Sequence, residues 1–193
     1  MRLSSIDVIA AALEPVAADL GRRLSSPDGA VTLMLGDLGG EGSDPSLDPA
    51  RWERIVADHN LLVERIVSAH DGTVIRFEHD GFLAQFNSAH AGLHAAVELQ
   101  RTFAGGIGTE ERGLAARSGL HSGFVIASDA QPMGRNVVLT ARIAAKAKGG
   151  EILVSSTLKQ YTQTDPSFRF EERGEFHFKG MLGEHTVYAV QWR

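Results

Sequence analysis

Near the start of the chain apolar residues recur every third or fourth position: Ile6, Ile9, Leu13, Val16 and Leu20. This spacing predicts a helix over residues 5–24 and is the seam spacing of a coiled coil, interrupted by Pro15. A helix that pairs two chains and a helix docked on its own domain both satisfy it. The segment SSPDG, Ser25 to Gly29, then reads as a linker. The short apolar run VTLML, Val31 to Leu35, predicts a buried strand running into a polar Gly- and Pro-rich loop. Residues 50–69 predict a strong helix whose apolar side carries Trp52, Ile55, Val56, Leu62, Val63, Ile66 and Val67, closed by His70-Asp71-Gly72. In VIRFEHDGFLAQF, Val74 to Phe86, two apolar runs flank EHDG. They predict a hairpin with Asp80-Gly81 at its tip. Ser88 caps a helix to about Thr102.

Further along, Leu114–His121 and Gly123–Ala127 read as two strands, 135–147 as a helix ending at Gly149-Gly150, EILVS as a strand and 156–163 as a short helix. Phe168–Glu172, Glu175–Lys179 and Thr186–Val190 complete the sheet. The order strand, helix, strand, strand, helix, strand predicts an α+β fold with a ferredoxin-like core, a mixed and mainly antiparallel sheet with packed helices. The expected organisation is an N-terminal helix and linker over 1–29 and one domain over 30–193.

Composition narrows the function. A chain of 193 residues with 43% apolar content can bury a sizeable core. A net charge of −5 and no Lys/Arg run argue against a nucleic-acid partner. Cysteine is absent, which excludes disulfides, thiolate metal sites and a Cys nucleophile. No apolar run is long enough to span a bilayer and no signal-peptide core is present. The expectation is a soluble, cytoplasmic protein.

Two carboxylates stand out. Asp37 follows the first predicted strand and Asp80 sits at the hairpin tip, so both can reach one edge of the sheet. Paired carboxylates suit hard divalent cations, and two such ions can clamp a phosphoryl-transfer site. Gly36, Gly39 and Gly40 allow a backbone to approach phosphates closely. Asp is also an ordinary turn residue, and spacing alone leaves that reading open.

These residues lie in a larger pattern. VTLMLGDLGG, GTVIRFEHDGFLAQF, GLHSGFVI, MGRNVVLTARIAAKAKGGEILVS and EFHFKG…VYAV occur in this order over about residues 30–191. Together they resemble the catalytic domain of the class III nucleotidyl cyclases, the adenylate and guanylate cyclases. The resemblance implies that Asp37 and Asp80, with the Leu38 backbone carbonyl, hold two Mg²⁺ or Mn²⁺ ions. It implies a nucleoside triphosphate, ATP or GTP, bound at a homodimer interface. The ribose 3′-hydroxyl would attack the α-phosphate and pyrophosphate would leave. Arg142 matches the transition-state arginine and Lys179 a lysine that reaches the phosphates. Gly39 and Gly40 match the phosphate-side glycines, and Arg76 and Gln131 the base-reading pair.

Four positions depart from the family pattern. Arg76 replaces the base-selecting lysine, keeping its charge in a larger, forked side chain. Gln131 stands where Asp or Thr is usual and can both donate and accept. Val138 occupies the transition-state Asn position and has no donor, while Asn136 lies two residues away on a different side of the helix. Glu41 replaces the Phe of the D-I-x-G-F motif and sets a negative charge near the expected triphosphate. In addition, His79 replaces a glycine beside Asp80. Two functions follow: a slow or unconventional cyclase, or a catalytically degenerate pseudo-cyclase that signals by binding nucleotide or a partner.

Overall fold

The computed structural model describes residues 30–39, 48–105, 115–124 and 131–193, together with Ile6, Val8 and Ala11; of residues 131–133 it describes the backbone alone. Seven strands and four helices are described. The strands are β1 (Ala30–Gly39), β2 (Gly72–Glu78), β3 (Gly81–Phe86), β4 (Ala115–Phe124), β5 (Ile152–Ser155), β6 (Arg169–Phe176) and β7 (His185–Gln191). The helices are α1 (Pro49–Ala69), α2 (Ala89–Ala104), α3 (Gln131–Ala144) and α4 (Ser156–Thr162). The strands form one sheet in the order β2-β3-β1-β4-β5-β7-β6. Its first four strands, with α1 and α2 as crossovers, are the expected ferredoxin-like core. Every described ladder is antiparallel except β4–β5, which α3 joins as a crossover.

Alternation along β1 divides the core. Met34 and Leu38 face one way, into a cluster with Ile55, Leu62, Val63 and Ile66 of α1 and Leu93 and Ala96 of α2. Val31, Leu33 and Leu35 face the other way and pack with Leu83 and with Val137, Ala141 and Ala144 of α3. Ile6 joins this second cluster and is fully buried. The rest of the predicted 5–24 helix lies outside the described residues, apart from Val8 and Ala11, which are helical. The apolar side of α3 that faces away from β1, Leu139 and Ile143, packs on Leu153, Val187 and Ala189.

Helix ends follow local chemistry. Pro49 opens α1, and Ser88 Oγ accepts a hydrogen bond from the Ala91 amide at the start of α2. The C-cap of α1 is His70, and the left-handed residue after it is Asp71 (φ 55°) rather than the expected glycine. Gly72 is instead the first residue of β2, where a Cβ would lie 2.4 Å from Phe86.

Several boundaries differ from expectation. The first strand runs on to Gly39, so Asp37 lies inside β1 and not just after it. Residues 115–124 form one strand where two were expected, because β1 pairs continuously from Ala30↔Phe124 to Gly39↔Ala115 and carries the strand across Ser122-Gly123. The two strands expected within residues 168–179 are likewise one, β6, with a register shift between Glu172 and Gly174. The third helix begins at Gln131, four residues before its expected start.

Candidate active site

The two aspartates are brought to one end of neighbouring central strands. β1 pairs with β3 through Gly36↔Phe82, and Asp80 lies in the turn that leads into β3. The hairpin tip is His79-Asp80, not Asp80-Gly81, because Glu78 pairs directly with Gly81. His79 carries the positive φ of this two-residue turn (56°), a conformation that favours glycine. Its side chain is solvent-facing, with Nδ1 3.8 Å from the Glu78 carboxylate.

Asp37 is 3% exposed. Arg117 of β4, its cross-strand neighbour, grips both carboxylate oxygens. Nε donates to Oδ1 at 2.6 Å and Nη2 donates to Oδ2 at 2.9 Å. Nη1 donates to the Ala147 carbonyl after α3 at 3.3 Å. A bidentate, charge-assisted pair of this kind offsets the cost of burying Asp37. Sequence reasoning missed Arg117. The only signal was a charged residue inside an otherwise small and apolar strand, and its partner depends on the β1–β4 register.

A second missed residue is His59 of α1, which is 1% exposed. Its ring lies 5.9 Å from Phe82 and 5.4 Å from Phe103. Nδ1 donates to Asn60 Oδ1 at 3.0 Å, and Nε2 is buried with no partner among the described residues. Burial lowers the His59 pKa to about 4, against a hydrogen bond to Asn60 and the charge of Asp37, which act to raise it.

The face of β4 that carries Arg117 also carries Gly119, His121 and Gly123. A Cβ on Gly119 would lie 2.3 Å from the Ala144 nitrogen, and one on Gly123 would lie 2.5 Å from Asn136 Oδ1. Both glycines therefore let α3 lie close against the sheet. His121 links the layers. In a self-consistent arrangement, Ser155 Oγ accepts from the Leu158 amide (3.2 Å) and donates to His121 Nδ1 (2.9 Å). His121 Nε2 then donates to Asn136 Oδ1 (3.3 Å), and Asn136 Nδ2 donates to the Phe124 carbonyl (3.3 Å). The His121 pKa is lowered to about 4, first by burial, with His185 adding to the shift and the Asn136 bond opposing it.

The remaining expected residues are dispersed. Arg76 lies on the edge strand β2, just past a register shift, and its Nε and Nη2 donate to Glu78 Oε2 at 3.1 and 2.8 Å. Arg142 is exposed on α3, on the side away from Ala141 and Ala144, which are buried. Val138 is half-buried on the same helix. Gln131 is the first residue of α3. Lys179 is exposed in the β6–β7 connection. Gly39 ends β1, and Leu38 is buried in it. Gly40 and Glu41 lie outside the described residues.

Two carboxylates and backbone carbonyls at one sheet end are hard oxygen donors, which fits a divalent cation such as Mg²⁺ or Mn²⁺. Among the described residues no group of three His, Asp or Glu side chains forms a metal site. A cation here would therefore depend on Asp37, Asp80, backbone and solvent. No helix among the described residues is long and apolar enough to cross a membrane.

Residues 26–191 match the family model of the adenylate and guanylate cyclase catalytic domain. The chain belongs to that family. A Rhizobium meliloti protein named "Putative adenylate cyclase 3" is 28% identical over 154 residues, 79% of this chain and 25% of its own length. An uncharacterized protein of Mycobacterium tuberculosis is 31% identical over 132 residues, 67% of this chain and 44% of its own. The cyclase domain thus spans a quarter to under half the length of these relatives. Among solved structures, the adenylyl cyclase CyaB of Pseudomonas aeruginosa (P. aeruginosa) matches with a TM-score of 0.71 at 19% identity, covering 84% of this chain and 93% of that one. The adenylate/guanylate cyclase/hydrolase from Silicibacter pomeroyi matches with a TM-score of 0.69 at 23% identity, covering 83% and 95%. At these identities the structural matches establish the cyclase fold.

Proposed function

We propose that this domain is a nucleotidyl cyclase that converts ATP or GTP to a 3′,5′-cyclic nucleotide and pyrophosphate at a homodimer interface. What supports this reading is membership of the cyclase family, together with a β1–β3 pairing that ends at Gly36↔Phe82, next to Asp37 on one strand and close in sequence to Asp80 on the other. Asp37 and Asp80, with the Leu38 carbonyl, would hold two Mg²⁺ or Mn²⁺ ions. When bound, such ions neutralise phosphate charge and lower the pKa of an attacking hydroxyl. The protein's own groups do the rest. Gly39 and Gly40, which match the family's phosphate-side glycines, would face the phosphates, and Lys179 would add positive charge. Arg76 and Gln131, at the positions that match the family's base-reading pair, would read the base. Arg142, directed away from its own sheet, would serve the site of a second copy, where a guanidinium suits charge growing on the α-phosphate. These steps need a dimer because Arg142 is on the outer side of α3.

A second reading rests on Val138. The family's Asn donor is missing there, and losing one preorganised donor costs about 10²–10³ in rate. On that reading the domain is a pseudo-cyclase that binds nucleotide or a partner. Purified protein incubated with ATP or GTP and Mn²⁺ or Mg²⁺, with Asp80→Ala as control, decides between them by mass detection of product. Cyclic nucleotide that disappears in the variant supports the cyclase. No product from either nucleotide, at a concentration where the protein is dimeric, supports the pseudo-cyclase.

A further inference from the structure

A cavity of about 180 Å³ lies on the side of the sheet away from the β2–β3 hairpin, where β5 begins and β7 ends. Gly150, Glu151, Arg173, Trp192 and Arg193 are among the residues that line it, and none of them belongs to the candidate active site. We propose that this cavity binds a small oxyanion, a carboxylate or a phosphate, between the guanidiniums of Arg173 and Arg193 and beside the Trp192 ring. The proposal is independent of the cyclase reading.

The charges of the lining point to an anion. It carries two guanidiniums and one carboxylate, and the carboxylate is engaged on both oxygens. Glu151 Oε1 accepts from Arg173 Nη2, and Oε2 accepts from the Lys148 amide at 2.8 Å. The Arg193 guanidinium is stacked 4.8 Å over the Trp192 ring, with no carboxylate partner among the described residues. Stacking leaves the edge of its planar fork for an incoming oxyanion.

The walls are fixed before any ligand arrives. Trp192 Nε1 donates to the Gly150 carbonyl at 2.8 Å, and the Trp192 carbonyl accepts from Arg101 Nε at 3.1 Å. A Cβ on Gly150, whose φ is 83°, would lie 4.0 Å from Arg193 Nη2. Arg173 is placed by the irregularity in β6. The ladder passes from Glu172↔Tyr188 to Gly174↔Val187, which leaves Arg173 as the extra residue, and Gly174 takes a φ of 115° beside it. A bulge of this kind re-aims a side chain. Here it lets Arg173 reach across β7 to the start of β5. Walls held in this way lower the ordering cost of binding.

The two tryptophans, Trp52 and Trp192, give two indole N–H signals in nuclear magnetic resonance, assigned with Trp52→Phe. Sodium phosphate, sodium malonate and sodium chloride are titrated separately, at matched ionic strength and without divalent metal. The Trp192 signal should move saturably with phosphate, malonate or both, while Trp52 stays in place and chloride has no effect. Movement with phosphate alone assigns the site to phosphorylated ligands, and movement with malonate alone to carboxylates. Arg173→Gln and Arg193→Gln should each weaken the binding by about tenfold. Both arginines are exposed, and the Arg173–Glu151 ion pair is a surface one, so the variants keep the fold. A Trp192 signal that neither oxyanion moves, or that chloride moves equally, would overturn the proposal. So would an affinity left unchanged by either substitution.

Discussion

Asn136 and Val138 stand two residues apart on α3, and their surroundings differ: Asn136 is bonded to His121 and to the Phe124 carbonyl on the sheet, while Val138 has no polar group to offer. The nearby Asn136 amide is committed to the fold and does not stand in for the missing donor. Installing one where the family has it should therefore raise turnover. Val138→Asn is expected to increase kcat by about tenfold or more, up to the roughly 10²–10³ that one preorganised donor supplies. Steady-state cyclic-nucleotide assays of the two proteins provide the check. An unchanged kcat would mean that the transition state is handled by other groups.

The extent to which this site was legible in the sequence follows from how each part is specified. The order of elements around Asp37 and Asp80 was readable, because it lies in local patterns, a buried apolar run and a two-strand hairpin, although Asp37 sits inside β1 where it was expected just after it. Arg117 was not, because it acquires meaning only when β4 is laid antiparallel against β1 with Asp37 opposite. The same register explains why Ala115–Phe124 is one strand across the break expected at Ser122; Gly119 and Gly123 serve close packing of α3. The turn was displaced by one residue because His79 adopts the left-handed conformation that Gly81 seemed to offer. His59 was hidden among the apolar positions of α1, whose period it follows.

The first-helix pattern permitted either a dimer seam or a docked helix, and Ile6 favours docking. It is fully buried beside Leu33, Leu35, Leu83 and Val137. Ile6→Ala should cost about 2–5 kcal/mol of unfolding free energy, as expected for truncating a buried Ile. Urea denaturation gives the number. A change in sedimentation with no loss of stability would instead assign Ile6 to the contact between chains.

Stability should fall with mild acid because two histidines are buried neutral. His59 and His121 each have a folded pKa lowered to about 4, from the ordinary 6.5 expected when the chain unfolds. Above pH 6.5 both are neutral in either state and contribute no slope. Between about 6.5 and 4 the unfolded chain takes up protons that the folded one refuses, so unfolding becomes easier as pH drops. The penalty is about 1.4 kcal/mol per unit per histidine, or roughly 2 kcal/mol each by pH 5. Below about 4 the folded protein protonates too and the loss stops growing. For His121 the physical cost is specific, since a proton on Nδ1 would face the hydrogen that Ser155 donates. Denaturant unfolding at pH 7.5 and pH 5 should therefore differ by about 4 kcal/mol. His59→Phe, which keeps a ring between Phe82 and Phe103, should remove about half of that difference. Equal stability at the two pH values would show that neither histidine is held neutral by the fold.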